Sequence, residues 1–229
     1  MASTKGNLEV LFEDNHLIIV NKKSGDIVQG DKTGDTPLSE IVKEYIKEKY
    51  NKPGNVFLGV VHRLDRPTTG IIVFARTSKA LERFNKMLRE KTVNKTYWAV
   101  VKNKPKKEID TLIGFLRKNP KNNKSTSYSS EIKGSKKAIL HYKLLKSLDN
   151  YHLLEVNLET GRHHQIRCQL SAIGSPIKGD LKYGFDRSNK DASIHLHARK
   201  LNFTHPVTKE VISIIAPTPN EVIWNACCQ

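Results

Sequence analysis

Cysteine is scarce in this chain. The three that occur, Cys168, Cys227 and Cys228, are odd in number and two are adjacent near the C-terminus, which argues against a disulfide framework. No C-x-x-C pair is present, and His163/His164 and His195/His197 lack cysteine partners or an H-x-x-x-H spacing, so no metal site is expected. Long apolar runs are also missing. Val56–Val61 and Gly70–Ala75 are the longest, at six residues each, against about 18 needed to cross a bilayer. Neither a membrane helix nor a signal-peptide core follows from such runs, and a cytoplasmic location is expected. The chain contains no G-x-x-x-x-G-K-[ST], no G-x-G-x-x-G, no G-x-S-x-G and no RNP1 pattern, which removes the usual signals for phosphate-loop, dinucleotide, hydrolase-elbow and RRM chemistry.

Acidic residues are the last shortage: 23 Asp+Glu stand against 39 Lys+Arg, a formal net charge of +16. The excess is concentrated. Residues 91–147 carry fifteen Lys/Arg and three acids, Glu108, Asp110 and Glu131. Such a field attracts polyanions, and counterion release makes the binding salt-dependent. Solubility alone is the plainer explanation of the same lysines. The remaining composition, 38% hydrophobic and 27% charged, is that of a globular chain. A chain of this length buries roughly 70–75% of its unfolded surface, enough for a core without metal or disulfide support.

Leu11–Phe12 and Leu17–Val20 read as two strands about a turn. Thr36-Pro37 opens a helix, with Thr36 as its cap, and Leu38, Ile41, Val42, Tyr45 and Ile46 recur at helical spacing to about Tyr50. Apolar strands are expected at 56–61 and 71–75. Thr77 or Ser78 caps a second helix, and residues 95–101 form a strand. The basic stretch 102–137 reads as loops with one or two short strands. Residues 139–145 and 152–158 read as a hairpin, Gly161–Ile173 as a helix with Ile166, Leu170 and Ile173 inward and Gly174 as its stop, and 194–203 and 210–216 as closing strands. Strands outnumber helices and neighbour each other through short turns, so the class is α+β with a largely antiparallel mixed sheet and flanking helices. One domain is expected over residues 10–220, with tails at 1–9 and 221–229.

Two polar clusters stand out. The first is H-R-L-D-R-P-T-T-G at 62–70, between two apolar strands, where a scaffold can hold a reactive side chain. Asp65 has Arg63 and Arg66 beside it, and a carboxylate near cations suits a nucleophile or charge stabiliser better than a proton donor. A turn capped by Asp65 is the bland alternative. The second is E-T-G-R-H-H-Q-I-R-C-Q-L at 159–170. Arg162 and Arg167 are five positions apart and cannot share one helical stripe. Arg167, next to Ile166, is expected at the core edge; ordinary surface polarity is the alternative for the whole cluster.

The motif H-R-L-D-R-P-T-T-G-I-I-V-F-A resembles the catalytic motif of the RluA-type pseudouridine synthase family. Further segments resemble that family in its order: 12–22 its opening strand pair, Lys95–Ala99 its tyrosine motif, Thr160–Arg167 its arginine motif, and Gly179–Gly184 and 195–206 its closing segments. The likeness runs from about residue 10 to 220. It implies the pseudouridine synthase catalytic fold with a central cleft, acting as a monomer on ribosomal or transfer RNA, ribosomal RNA favoured, without cofactor or metal. It implies Asp65 as nucleophile, Arg167 as its ionic partner, and Tyr97 packing against the target uracil. Arg63 is the candidate to fill the space of a flipped base, while Arg162, Lys104, Lys106 and Lys107 meet RNA backbone. A non-catalytic RNA-binding protein on the same scaffold is the alternative. Three departures are visible: His163-His164-Gln165 where Thr-His-Gln is usual, Lys23 where Pro is usual, and Lys209 where a turn Gly is common. The small N-terminal RNA-binding module of longer members is also not expected ahead of the first strand.

Overall fold

The computed structural model describes residues 2–30 and 34–228. Its contacts group the chain into two compact units, Met1–Asn94 with Ala198–Thr218 and Lys95–His197 with Pro219–Gln229. In chain order the elements are β1 (Val10–Glu13), β2 (Leu17–Lys22), α1 (Leu38–Lys49), β3 (Gly59–Val60), β4 (Thr69–Ala75) and α2 (Ser78–Arg89). Then come β5 (Asn94–Val101), β6 (Ile109–Asn119), β7 (Lys124–Tyr128), β8 (Lys136–Ser147), β9 (His152–Leu158) and α3 (Gln165–Ala172). The chain closes with β10 (Leu196–Thr204), β11 (Val211–Ile215) and α4 (Val222–Cys228). Strands dominate, and β1–β2, β2–β4, β3–β4, β5–β9, β6–β7, β6–β8, β8–β9 and β10–β11 all pair antiparallel, which makes the class α+β.

In unit 1 the strand order is β1-β2-β4-β10, with β3 on β4 and β11 on β10. β2 and β4 pair from Leu17↔Ala75 to Lys22↔Gly70. Every residue of both strands is buried. A strand covered on both faces needs apolar side chains at successive positions, which is why these segments read as unbroken runs rather than alternations. Ile18, Val20, Ile72 and Phe74 pack on Leu38, Val42 and Ile46 of α1.

Two expectations in this unit need correction. α1 starts one residue after Pro37, which itself sits at the N-cap with extended backbone, and Thr36 does not cap it. The first N–H groups of the helix donate instead to main-chain carbonyls, Leu38 to Ile27 (2.7 Å) and Ser39 to Val28 (3.3 Å), so the end needs no side chain. The expected strand 56–61 shrinks to Gly59–Val60, which alone pairs with β4; Val56 and Leu58 are apolar because they pack on the core, not because they join the ladder. The cap of α2 is as expected: Thr77 accepts from Ala80 N at 3.2 Å.

Unit 2 carries the strand order β5-β9-β8-β6-β7. Here β6 corrects the reading of 102–137 as mostly loop. It spans 11 residues; Leu116 is buried, but Ile109 and Ile113 are 68% and 61% exposed, so its apolar residues fall on both faces and show no inward alternation. α3 begins at Gln165, not Gly161, because His164 takes a left-handed backbone with φ of 53°. Ile173, expected inward, is 37% exposed, while Gly174 does end the helix at φ of 80°. Val222–Cys228, in the segment read as a tail, forms α4, with Trp224 and Cys227 packed on Val100 and Leu153. Among the described residues no helix is long and apolar enough to cross a membrane, and no cluster of three or more His, Cys, Asp or Glu could hold a metal.

Candidate active site

Asp65 lies on the loop between β3 and β4, half-buried, with Arg63 and Arg66 exposed on either side. Leu64 between them packs on the α1 core cluster, so one apolar anchor turns its neighbours outward. Thr68 N donates to Asp65 O at 3.0 Å and closes a turn around Arg66-Pro67. The loop runs into β4, whose second residue, Gly70, has φ of +109°, and a Cβ there would stand 2.4 Å from the Ala198 carbonyl oxygen of β10. Both the backbone conformation and the close approach require glycine. Val73 N donates to His62 Nε2 at 3.1 Å, which fixes the ring and requires that nitrogen to be unprotonated. Arg66 pairs with Asp35 at 2.8 Å.

Beneath the loop sits a residue to which the sequence reading gave no role. Lys22 is 1% exposed, and its Nζ donates to the carbonyls of Lys23 (3.0 Å), Arg66 (3.0 Å) and Thr68 (2.8 Å). Three donors thus meet three acceptors, two of them on the Asp65 loop. Burial pushes the lysine down to about 8, opposed by the charges of Asp26 and Asp65. Asp26 in turn takes the backbone N–H of Ser3 (2.8 Å), the Ser3 hydroxyl (2.6 Å) and Lys23 N (3.2 Å). The one sequence signal for Lys22 was a lysine closing an otherwise apolar strand.

In unit 2, Tyr97 lies on β5 opposite Val156 of β9 and is 7% exposed. Arg167, in the first turn of α3, is 5% exposed, while Arg162 is exposed and donates from Nε to Lys137 O at 2.9 Å. The core-edge expectation for Arg167 therefore holds. Its Nε and Nη2 fork onto Asp180 at 2.7 and 2.8 Å. Asp180 is 1% exposed, and the Tyr183 ring lies 5.1 Å from the guanidinium carbon. Asp180 belongs to a segment quoted for the family likeness but was given no role there; a partner thirteen residues away across a turn leaves no periodic trace. The residue before it must be glycine: at φ of +85°, a Cβ on Gly179 would meet Ser193 O at 2.7 Å.

A polar network surrounds this pair. The Tyr183 hydroxyl accepts from Ser125 N at 2.8 Å and bonds His164 Nδ1 at 2.9 Å, and burial pushes it up to about 12. His164 stacks on His163 at 3.8 Å between ring centroids, so the departure His163-His164 is built into the approach to α3. The Ser125 hydroxyl donates its one proton to His163 O (2.8 Å), so the 2.9 Å bond to His163 Nδ1 requires a proton on that nitrogen.

The basic surface divides by pairing. Lys104, Lys106 and Lys107 are exposed between β5 and β6, but Lys104 pairs with Glu108 at 2.8 Å and Lys107 with Asp110 at 3.2 Å. By contrast, Lys118, Lys121, Lys133, Lys136 and Lys137 are exposed with no acidic partner among the described residues.

Residues 16–172 match the family model described as RNA pseudouridylate synthase. An uncharacterized RNA pseudouridine synthase of Synechocystis is 36% identical over 93% of this chain and 66% of its own length. Ribosomal large subunit pseudouridine synthase D of Zymomonas mobilis is 31% identical over 94% of this chain and 70% of its own. The C enzyme of the same name in Salmonella typhimurium is 35% identical over 92% and 66%. The chain thus spans about two thirds of the length of these curated relatives. In fold, the structure of human RNA Pseudouridylate Synthase Domain Containing 4 superposes with a TM-score of 0.79 at 23% identity, over 94% of this chain and 90% of that one. The loop carrying Asp65, the strand carrying Tyr97 and Arg167 of α3 all fall within the matched residues, and the chain belongs to the RNA pseudouridylate synthase family, among its RluA-type members.

Proposed function

We propose that the protein is an isomerase that converts specific uridines of structured RNA to pseudouridine, with ribosomal RNA favoured over transfer RNA as its substrate. The observation that carries this reading is the family match over residues 16–172, a span holding Asp65, Tyr97 and Arg167 together. Two of the named relatives are ribosomal large subunit pseudouridine synthases, which favours ribosomal RNA here.

In the proposed reaction the C1′–N1 bond of uridine breaks, the uracil turns, and C5 bonds to C1′. The C5 hydrogen leaves as a proton and N1 gains one, so the product is an isomer and no redox partner enters. Asp65 acts as the nucleophile that traps or stabilises the ribose carbon. Arg167 keeps that carboxylate ionised and oriented, a role suited to a guanidinium already held rigid by Asp180. Tyr97 offers a flat face to the uracil. The target must leave its stack, and Arg63, exposed and without a hydrogen bond or ion pair among the described residues, is the group to occupy the vacated space. Arg162 and lysines of the basic stretch hold phosphates.

The test is tritium release from C5-labelled uridine in a ribosomal RNA transcript, beside a binding titration. Wild type releases tritium; Asp65→Asn abolishes release while RNA affinity stays within about twofold, because phosphate contacts set affinity. Binding by wild type without any release would favour the non-catalytic alternative.

A further inference from the structure

We propose that Lys95 and the adjacent Gly161 backbone form a phosphodiester subsite on unit 2, an inference that rests on the reading of RNA as substrate and adds a binding residue to it. Lys95 lies on β5 two residues before Tyr97, so the two side chains leave the strand on one face. It is half-buried. Its Nζ stands 3.9 Å from the point a Cβ on Gly161 would occupy, over the segment that leads from β9 to α3. Among the described residues the ammonium has neither a hydrogen bond nor an ion pair, and burial is the sole influence on its titration, lowering it, with no carboxylate opposing. The acid of that segment, Glu159, is bonded to His141 at 2.7 Å. The next side chain, Arg162, brings a second cation.

A cation withdrawn from water without an anion or acceptors is destabilising. Lys22 shows the satisfied alternative in the same chain, a buried ammonium with three carbonyls. Lys95 is half-buried and, among the described residues, has none of those acceptors, so water alone solvates its ammonium and an incoming anion can take that place. Gly161 leaves the side of the ammonium open. Its φ is not in the left-handed region, and a Cβ there would make only ordinary contact with Lys95 Nζ, so neither backbone strain nor a clash accounts for glycine at this position. What its bare backbone provides is access. The anion that fits is a singly charged phosphodiester of the RNA strand, which a lysine holds as a point charge.

The experiment uses the full chain and a transcript of large-subunit ribosomal RNA. Filter binding is measured across a salt series, together with tritium release and thermal melting, for wild type, Lys95→Met and Lys95→Arg. Lys95→Met should weaken binding on the order of tenfold and shallow the salt slope by about 0.7, the value of one single-strand contact. Its melting temperature should equal or exceed that of wild type, since no contact within the described residues is lost and a half-buried charge is gone. Lys95→Arg should restore affinity and slope. Unchanged affinity and slope in Lys95→Met, or a loss of affinity accompanied by a lower melting temperature, would overturn the subsite. Tritium release by wild type with no defect in Lys95→Met overturns the subsite alone. The binding defect without release by wild type overturns the isomerase reading alone, and failure of wild type to bind the transcript overturns both.

Discussion

The two units hold their candidate reactive side chains in different ways. In unit 1 Asp65 rides on an irregular loop, and the loop's carbonyls are gathered by the buried ammonium of Lys22. In unit 2 Arg167 sits on a helix whose own ladder satisfies the backbone, and it is gripped through its side chain by Asp180. The contrast follows from what each backbone lacks. A loop leaves carbonyls that point in several directions, and three rotatable donors on one nitrogen can reach them. A helix leaves none to collect, so what requires control there is the plane of a guanidinium, and a carboxylate forks onto it.

That comparison breaks first at the stronger grip. Asp180→Ala removes the carboxylate that forks onto the buried Arg167 guanidinium, which should cost about 3–5 kcal/mol of stability. Chemical unfolding should show the loss, and the double variant Arg167→Met/Asp180→Ala should recover part of it. Equal stability of Asp180→Ala and wild type would show that the pair does not hold α3.

Lys22→Met comes next. It strands the Thr68 carbonyl and removes the tie under the Asp65 loop, for about 2–3 kcal/mol, with turnover falling and RNA affinity kept. The same substitution at Lys95 should leave stability unchanged or raised, so the two Lys→Met variants move in opposite directions. A pH series sharpens the point. Lys22 sits at about 8 in the folded chain against 10.5 ordinarily, so between these values the unfolded chain binds the extra proton. Stability contributed through this group therefore rises as pH climbs from about 8 toward 10.5. Wild type should gain over Lys22→Met across that window and run parallel to it below. A constant difference through the window would mean that Lys22 does not titrate there.

The smallest effect separates the two sets of surface lysines. Replacing Lys118, Lys121 and Lys133 with Ala should flatten the salt dependence of RNA binding by about two contacts' worth. The triple Lys104→Ala/Lys106→Ala/Lys107→Ala should change it less, because Glu108 and Asp110 already neutralise two of those charges. The reverse order would return the binding surface to the β5–β6 turn.

Much of this site was visible in the order of residues. The Asp65 loop announced itself because charged residues lie between two runs that only a buried sheet explains, and Arg167 because it follows the inward Ile166 in a helical pattern. Lys22 was hidden because a lysine at a strand end ordinarily reaches solvent; only the Arg66 and Thr68 carbonyls, more than forty residues on, turn it inward. β6 was hidden because its apolar residues Ile109 and Ile113 face outward. α4 has seven residues, too few for a helical period to register.

The sequence by itself determined the family, the α+β class, the strands β2 and β4 and the identity of Asp65, Tyr97 and Arg167 as candidates. The class, the strands, Asp65 and Arg167 rest on side-chain types at local spacing, which a linear order preserves; the family and Tyr97 rest on the resemblance of motifs in order. Only the tertiary structure decided that Lys22 supports the loop, that Asp180 holds Arg167, that Lys104 and Lys107 are locally neutralised, and that Lys95 has no acceptor among the described residues. Each of those depends on which distant carbonyl or carboxylate arrives beside a charge, and on how much water the fold removes from it.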